Sequence, residues 1–263
     1  MSLPLPAVLA FSASDPTGGA GMQADLLTIA SLGCHPLTVL TALTAQDTHG
    51  VHGLLAMEPE WIDRQASRLL EDIPVAAFKL GVLGSARNAE AVAAILAAHP
   101  RTPAVLDPVL ASGRGDPLVD DEAAQALRSL LLPLATVLTP NSVEARQLAQ
   151  AAPGAPLADC ARTLTAAGCR YVLITGTHEP GAQVVNTLYD AGGALREDRW
   201  PRLAGEYHGS GCTLASALAA FLARGLAIEN AVLEAQAYTW KTLEAGFQPG
   251  RGQRLPDRFF GSR

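Results

Sequence analysis

Short apolar runs recur along this chain, and between them stand segments whose apolar residues return every three or four positions. Residues 7–12, 37–44, 51–57, 76–83, 104–110, 136–139 and 171–175 read as buried strands, rich in Val, Leu, Ala and Thr. Residues 22–32, 59–73, 86–98, 120–132, 142–150 and 158–167 carry the helical spacing, and Pro59 suits a helix start. Residues 183–189 and 194–200 flank Asp190-Ala191-Gly192-Gly193 and predict a hairpin rather than another strand-helix unit. Helices over 212–224 and 228–245 close the pattern. Strands alternating with helices almost from end to end predict an α/β fold, a mainly parallel sheet covered on both faces. No linker or charge block divides the chain, so residues 1–263 are expected to form one domain.

Composition narrows this without changing it. At 263 residues, 49% of them hydrophobic, the chain is long enough for a sizeable core and is not expected to be disordered. A net charge of -6 gives no electrostatic reason to expect a nucleic-acid partner. The first residues lack a basic stretch before the apolar run, so neither a signal peptide nor a membrane span is expected, and the cytoplasm is the default location. Cys34, Cys160, Cys169 and Cys212 are scattered without a Cys-x-x-Cys pair, which argues against zinc and disulfides.

Candidate chemistry gathers where strands end. Tyr207-His208-Gly209-Ser210-Gly211-Cys212-Thr213 precedes a small-residue helix, so its glycines are expected to aim free backbone N–H groups and the positive helix end at an anion, phosphate above all. The same field is expected to favour the Cys212 thiolate and lower its pKa. Asp15-Pro16-Thr17-Gly18-Gly19-Ala20-Gly21 is a second glycine loop leading into a helix. Asp25, one turn into that helix, can face solvent or a pocket, and burial preferences favour solvent. Gln46 falls at a strand end, where ligands of open α/β sheets collect; its amide offers a donor beside an acceptor, matching an aminopyrimidine edge.

Three groups of motifs together resemble the hydroxymethylpyrimidine and phosphomethylpyrimidine kinases of thiamine biosynthesis, in the ribokinase superfamily. They are Ser14-Asp15-Pro16-Thr17-Gly18-Gly19-Ala20-Gly21-Met22-Gln23-Ala24-Asp25 with Leu43-Thr44-Ala45-Gln46-Asp47-Thr48; Val105-Leu106-Asp107-Pro108-Val109 with Thr139-Pro140-Asn141-Ser142-Val143-Glu144; and His208-Gly209-Ser210-Gly211-Cys212-Thr213-Leu214. The resemblance spans nearly the whole chain. It implies a ribokinase-like three-layer α/β/α domain, ATP and Mg²⁺, a homodimer, and two successive phosphorylations: of 4-amino-5-hydroxymethyl-2-methylpyrimidine, then of its monophosphate. By matched position Cys212 is the catalytic residue, with Gly209, Ser210 and Gly211 as the anion hole. Asp25 and Gln46 hold the pyrimidine, with Ala13, Val82 and Val109 beside it. Asn141, Thr175, Gly176, Thr213 and Arg114 fall on the nucleotide side, and Glu144 and Asp107 on Mg²⁺.

The sequence also departs from the family's pattern. A glycine near the pyrimidine has become Ala13. Thr175-Gly176-Thr177-His178 lacks its lysine, and Ser112-Gly113-Arg114-Gly115-Asp116-Pro117 lacks another, leaving Arg114 as the expected compensating cation. Three other readings compete. A pyridoxal or pyridoxine kinase is the nearest, since that branch phosphorylates a similar hydroxymethyl group. A cysteine hydrolase would pair Cys212 with His178 or His208 but has no third, orienting member. A non-catalytic pyrimidine sensor would have no need of Cys212, Asn141 and Glu144.

Overall fold

A computed structural model describes residues 5–110, 118 and 120–261. Its first half runs β1 (Ala7–Ser14), α1 (Gly21–Ser31), β2 (His35–Gln46), β3 (Val51–Ala56), α2 (Pro59–Asp72), β4 (Val75–Leu80), α3 (Ala86–Ala98) and β5 (Ala104–Leu106). The second half runs α4 (Asp121–Ala126), β6 (Val137–Leu138), α5 (Ser142–Leu148), α6 (Leu157–Ala166), β7 (Tyr171–Thr175), β8 (Gln183–Asp190), β9 (Gly193–Pro201), α7 (Ser210–Ala223) and α8 (Ile228–Glu244). One nine-stranded sheet has the order β3-β2-β1-β4-β5-β6-β7-β8-β9. Its centre, from β2 to β7, is parallel; β3 folds back antiparallel on β2, and β8 and β9 form the expected hairpin at the other edge.

Two expected elements are shorter than their hydrophobic pattern. The strand ends at Leu106 because Pro108 brings no N–H to the ladder. The helix over 120–132 keeps its α geometry only to Ala126, then continues as a π turn, Leu127–Leu131, and a short 3-10 turn, Leu132–Leu134, around Pro133. Among the described residues, no helix is long and apolar enough to cross a membrane. All four cysteines are buried free thiols.

The sheet separates two apolar layers, and strand alternation decides which residues meet which layer. Leu9, Phe11, Phe78 and Leu80 face the larger one, with Val92 and Leu96 of α3 and Leu164 of α6. Val8, Ala10, Ala77, Val105, Val137 and Leu173 face the other, against α1, α7 and α8. Two residues beyond the last apolar member of this second face, each central strand turns polar: Ser12, Lys79, Asp107, Thr139 and Thr175. All five line one cavity of about 660 Å³ at the carboxyl ends of the strands. The loop entering α7 forms its opposite wall.

Candidate active site

The cavity's centre is an ionic cluster. Lys79 and Asp25 are both fully buried, 0% exposed, and the Lys79 Nζ lies 2.9 Å from Asp25 Oδ1. Asp25 also accepts hydrogen bonds from Ser12 Oγ at 2.5 Å and Ser216 Oγ at 2.7 Å. Its expected solvent exposure is thus corrected, for a carboxylate with three donors including an ammonium can be buried. Nor does Asp25 stand on the cavity wall: Ser12 and Lys79 do, and its oxygens are occupied by them and by Ser216, so any hold on the substrate is indirect. Burial works against the Lys79 charge, but Asp25, with Cys212 and Asp107 beyond it, outweighs this and raises its pKa. Gly81 makes room, since a Cβ there would lie 2.7 Å from the Lys79 Nζ.

Cys212 stands in the first turn of α7, on the cavity wall, within the electrostatic reach of Asp107. The surroundings disfavour the expected thiolate. Burial pushes the thiol up to about 12, with Asp107 and Asp25 adding to the rise and Lys79 opposing it. Desolvation outweighs the helix field because the thiol is almost wholly buried. Gly209 caps the helix in the left-handed conformation, φ 81°, and any side chain there would strike the Gly19 carbonyl oxygen. Gly209, Ser210 and Gly211 all line the cavity, as the anion-hole reading requires.

Asp107 and Glu144 form the second charged group. Burial raises Asp107 to about 6, with Asp25 adding and Lys79 opposing. Burial, with the Asp107 charge, raises Glu144 to about 8. The motif Asn141-Ser142-Val143-Glu144 is a capping box: Asn141 Oδ1 accepts from the Val143 and Glu144 N–H groups, and Glu144 Oε2 accepts from the Asn141 N–H at 2.9 Å. The cap thereby holds Glu144 on the cavity wall. Asp107 Oδ2 is buried with no protein partner. Two mutually repelling carboxylates and an unpartnered oxygen fit a divalent cation that keeps water and phosphate as its other ligands. Among the described residues, no group of three or more His, Cys, Asp or Glu gathers as a complete protein cage.

At one end of the cavity, Ala13, Val82 and Val109 give apolar walls around Gln46. Beside it His208 Nε2 lies 2.8 Å from both Gln46 Nε2 and Asp15 Oδ2. Asp15, buried, also receives the Thr17 and Ala20 N–H groups and the Thr17 hydroxyl. At the other end stand Thr175, Thr177, Val184 and a stacked pair, Trp200 and Trp240, with ring centroids 6.3 Å apart. The Gly176 N–H is held by Asn186 Oδ1, and a side chain at Gly176 would collide with the Val185 carbonyl. Thr213, expected on the nucleotide, lies below the loop instead: its hydroxyl and its N–H are both given to the Gly209 carbonyl. Arg114 lies outside the described residues.

Sequence reading missed Lys79, His208's position and Arg258. Lys79 lies within the expected strand 76–83, and a lysine inside a fully buried run is itself a signal of pairing. Arg258, 4% exposed, donates to the Gly18 and Gly19 carbonyls and to Thr213 Oγ1, bracing both glycine loops from below. It comes from the tail, where no periodicity marks it.

A parallel sheet whose strand ends bring an ammonium and two carboxylates to a glycine-capped helix start defines an α/β phosphotransferase of the ribokinase-like kind. The backbone agrees: the crystal structure of an ADP complex of Bacillus subtilis pyridoxal kinase is similar with a TM-score of 0.89 and 30% identity, covering 97% of each chain. The sequence is more specific. It matches the phosphomethylpyrimidine kinase family over residues 15–257, and the chain belongs to that family. A hydroxymethylpyrimidine/phosphomethylpyrimidine kinase of Streptomyces coelicolor is 42% identical over 253 residues, 94% of this chain and 92% of the relative. The phosphomethylpyrimidine kinase of Clostridium difficile has a TM-score of 0.78 and 32% identity, over 91% of this chain and 99% of that one.

Proposed function

We propose that the chain transfers the γ-phosphoryl group of ATP to the hydroxymethyl oxygen of 4-amino-5-hydroxymethyl-2-methylpyrimidine, and then phosphorylates the monophosphate to the diphosphate, in thiamine biosynthesis. The observation that carries this reading is one continuous cavity, with the Gln46 amide at one end, the Trp200–Trp240 end for the nucleotide, and the Gly209–Cys212 helix start with Lys79 between them. Phosphoryl transfer asks for alignment and charge neutralisation more than for covalent chemistry. The α7 N–H groups and the Lys79 ammonium supply fixed positive charge, and Gln46 fixes the ring so that its alcohol lies toward Cys212. Asp107 and Glu144 would hold Mg²⁺, which neutralises phosphate charge when bound. The reading carries with it a cytoplasmic location and a homodimer; Leu43 and Leu55, exposed on the edge hairpin of β2 and β3, are apolar surface that a second copy would cover.

A pyridoxal kinase is the second reading, favoured by the closer backbone likeness to the Bacillus subtilis enzyme. Steady-state ATP consumption with each alcohol decides between them. The pyrimidine alcohol and its monophosphate should both turn over, with kcat/KM for the pyrimidine well above that for pyridoxal; the reverse order would replace the proposal.

The carboxylate pair gives a pH-dependent prediction. Glu144, raised on folding from its ordinary 4.5 to about 8, binds more protons in the folded than in the unfolded protein across that interval. Stability must therefore fall as pH rises between those values. Without Mg²⁺ and nucleotide, Glu144→Gln should melt increasingly above the parent as pH rises from about 5 to 8, and should need more Mg²⁺ for half-maximal rate. A variant that melts lower at every pH, with an unaltered Mg²⁺ requirement, would reduce Glu144 to a helix cap.

A further inference from the structure

The hydrogens around Gln46 can be counted from both sides, and the two counts agree. On one side, Asp15 Oδ2 already accepts from the Thr17 hydroxyl at 2.9 Å and the Ala20 N–H at 2.7 Å, so it meets His208 Nε2 as an acceptor. His208 Nε2 must then carry a hydrogen, whether the ring is neutral or protonated. A Gln46 NH₂ facing that N–H sets donor against donor at 2.8 Å, whereas an amide oxygen in that place shares the one Nε2 hydrogen with Asp15 Oδ2 in a three-centre bond. On the other side, the Thr44 hydroxyl has one hydrogen and donates it to the Ser14 carbonyl at 2.8 Å. Thr44 Oγ1 therefore meets the Gln46 amide, 3.1 Å away, as an acceptor. Side-chain amide oxygen and nitrogen are told apart by such partners.

We infer that the Gln46 amide is turned with Oε1 toward His208 and Nε2 toward Thr44, and that Asp15 and His208 are positioning residues that lock it there and so set the enzyme's choice of ring. With one lone pair taken by His208 and one N–H taken by Thr44, Gln46 keeps one lone pair and one N–H side by side. That edge complements an exocyclic amine next to a ring nitrogen, the pairing a glutamine makes with adenine. A locked amide cannot rotate to suit a ring bearing a hydroxyl and a formyl group in those places, so the lock discriminates against pyridoxal as well as holding the pyrimidine. The lock reaches the phosphate side too. His208 packs on Gly19, where a Cβ would lie 2.5 Å from its ring, and Asp15 ties down the Thr17 and Ala20 N–H groups of that loop. Ordering of the glycine loop and orientation of the pyrimidine-reading amide are thus one event.

This rests on the pyrimidine kinase reading for its substrate but not for its hydrogen count, and the experiment separates the two. Nitrogen NMR of histidine-labelled protein, with His208 assigned by its loss in His208→Gln, should show a protonated Nε2; a bare Nε2 overturns the inference even if the pyrimidine is a good substrate. In kinetics, His208→Leu should raise KM for the pyrimidine alcohol about tenfold, most of the loss falling in KM. The preference for this alcohol over its analogue lacking the 4-amino group should shrink by a similar factor. His208→Gln, which keeps a donor toward Asp15, should recover most of the preference. A preference unchanged in His208→Leu, or lost equally in both variants, overturns the lock, whereas a wild-type enzyme that turns over neither pyrimidine overturns the functional reading and leaves the NMR result to decide the hydrogen count.

Discussion

Lys79→Met should lower folding stability by about 3–5 kcal/mol, equivalent to a melting temperature roughly 10 °C lower, and should abolish most phosphoryl transfer. The stability loss comes from Asp25, which is wholly buried and would keep only the Ser12 and Ser216 hydroxyls against its charge. Removing one member of a buried pair is far more costly than removing both. Lys79→Met with Asp25→Asn should therefore recover most of the lost stability. It should not recover turnover, because Lys79 stands on the cavity wall and is the cation nearest Cys212 and Asp107 in its electrostatic effect. Melting curves and ATP consumption on the three proteins test the two claims apart. A single variant as stable as the parent would mean that the pair carries no load, and a double variant that regains activity would make Lys79 purely structural.

That pair also shows where the sequence stops being legible. The α/β alternation, the edge hairpin and the helix start at the second glycine loop follow from periodicity and turn chemistry, because those are local properties. The convergence of Ser12, Lys79, Asp107, Thr139 and Thr175 follows only once strand order and strand face are both known, since five different strands supply them. Within single segments, Lys79 reads as an interruption and Asp25 as a surface acid; their pairing spans 54 residues. Arg258 is further still, reaching back 239 residues to the Gly19 carbonyl from a tail without pattern. The Cys212 pKa fails for a different reason. A helix start lowers a thiol pKa and burial raises it, and burial depends on what the rest of the chain stacks over α7.

Neither Thr175-Gly176-Thr177-His178 nor Ser112-Gly113-Arg114-Gly115-Asp116-Pro117 contains a lysine. A cation is needed near the transferred group, but the chain need not bring it from the loops where the family pattern has it. Lys79 would bring one from the middle of the sheet, acting through its field, since its ammonium is wholly buried and already held by Asp25 and Ser12. Charge held rigidly in a dry site needs no reorganisation during reaction. Held in that way, Lys79 would not follow a second phosphate as the acceptor changes from alcohol to monophosphate, and the α7 N–H groups, with any Mg²⁺ that Asp107 and Glu144 would hold, would have to supply that charge.

If the thiol orients the acceptor rather than deprotonating it, Cys212→Ala should lower kcat by about 10²-fold while Cys212→Ser stays within about tenfold of the parent. Burial pushes the thiol up to about 12, so the thiolate is disfavoured at neutral pH, which argues against a resting general base. The transition state for phosphoryl transfer is loose, with little bonding to the incoming oxygen, and the alcohol need not lose its proton early. What the site requires is a neutral group beside the anion hole that can share a hydrogen bond with the hydroxymethyl oxygen and pass its own hydrogen toward Asp107. A serine hydroxyl does this with a shorter reach; a methyl group does not. The pH dependence of kcat separates orientation from base catalysis. In the orienting role, the parent and Cys212→Ser have the same alkaline limb, since neither owes it to the thiol. An alkaline rise in the parent that disappears in Cys212→Ser would assign the proton to the thiolate. It would also require substrate binding to reverse the effect of burial and restore the thiolate through the same helix start.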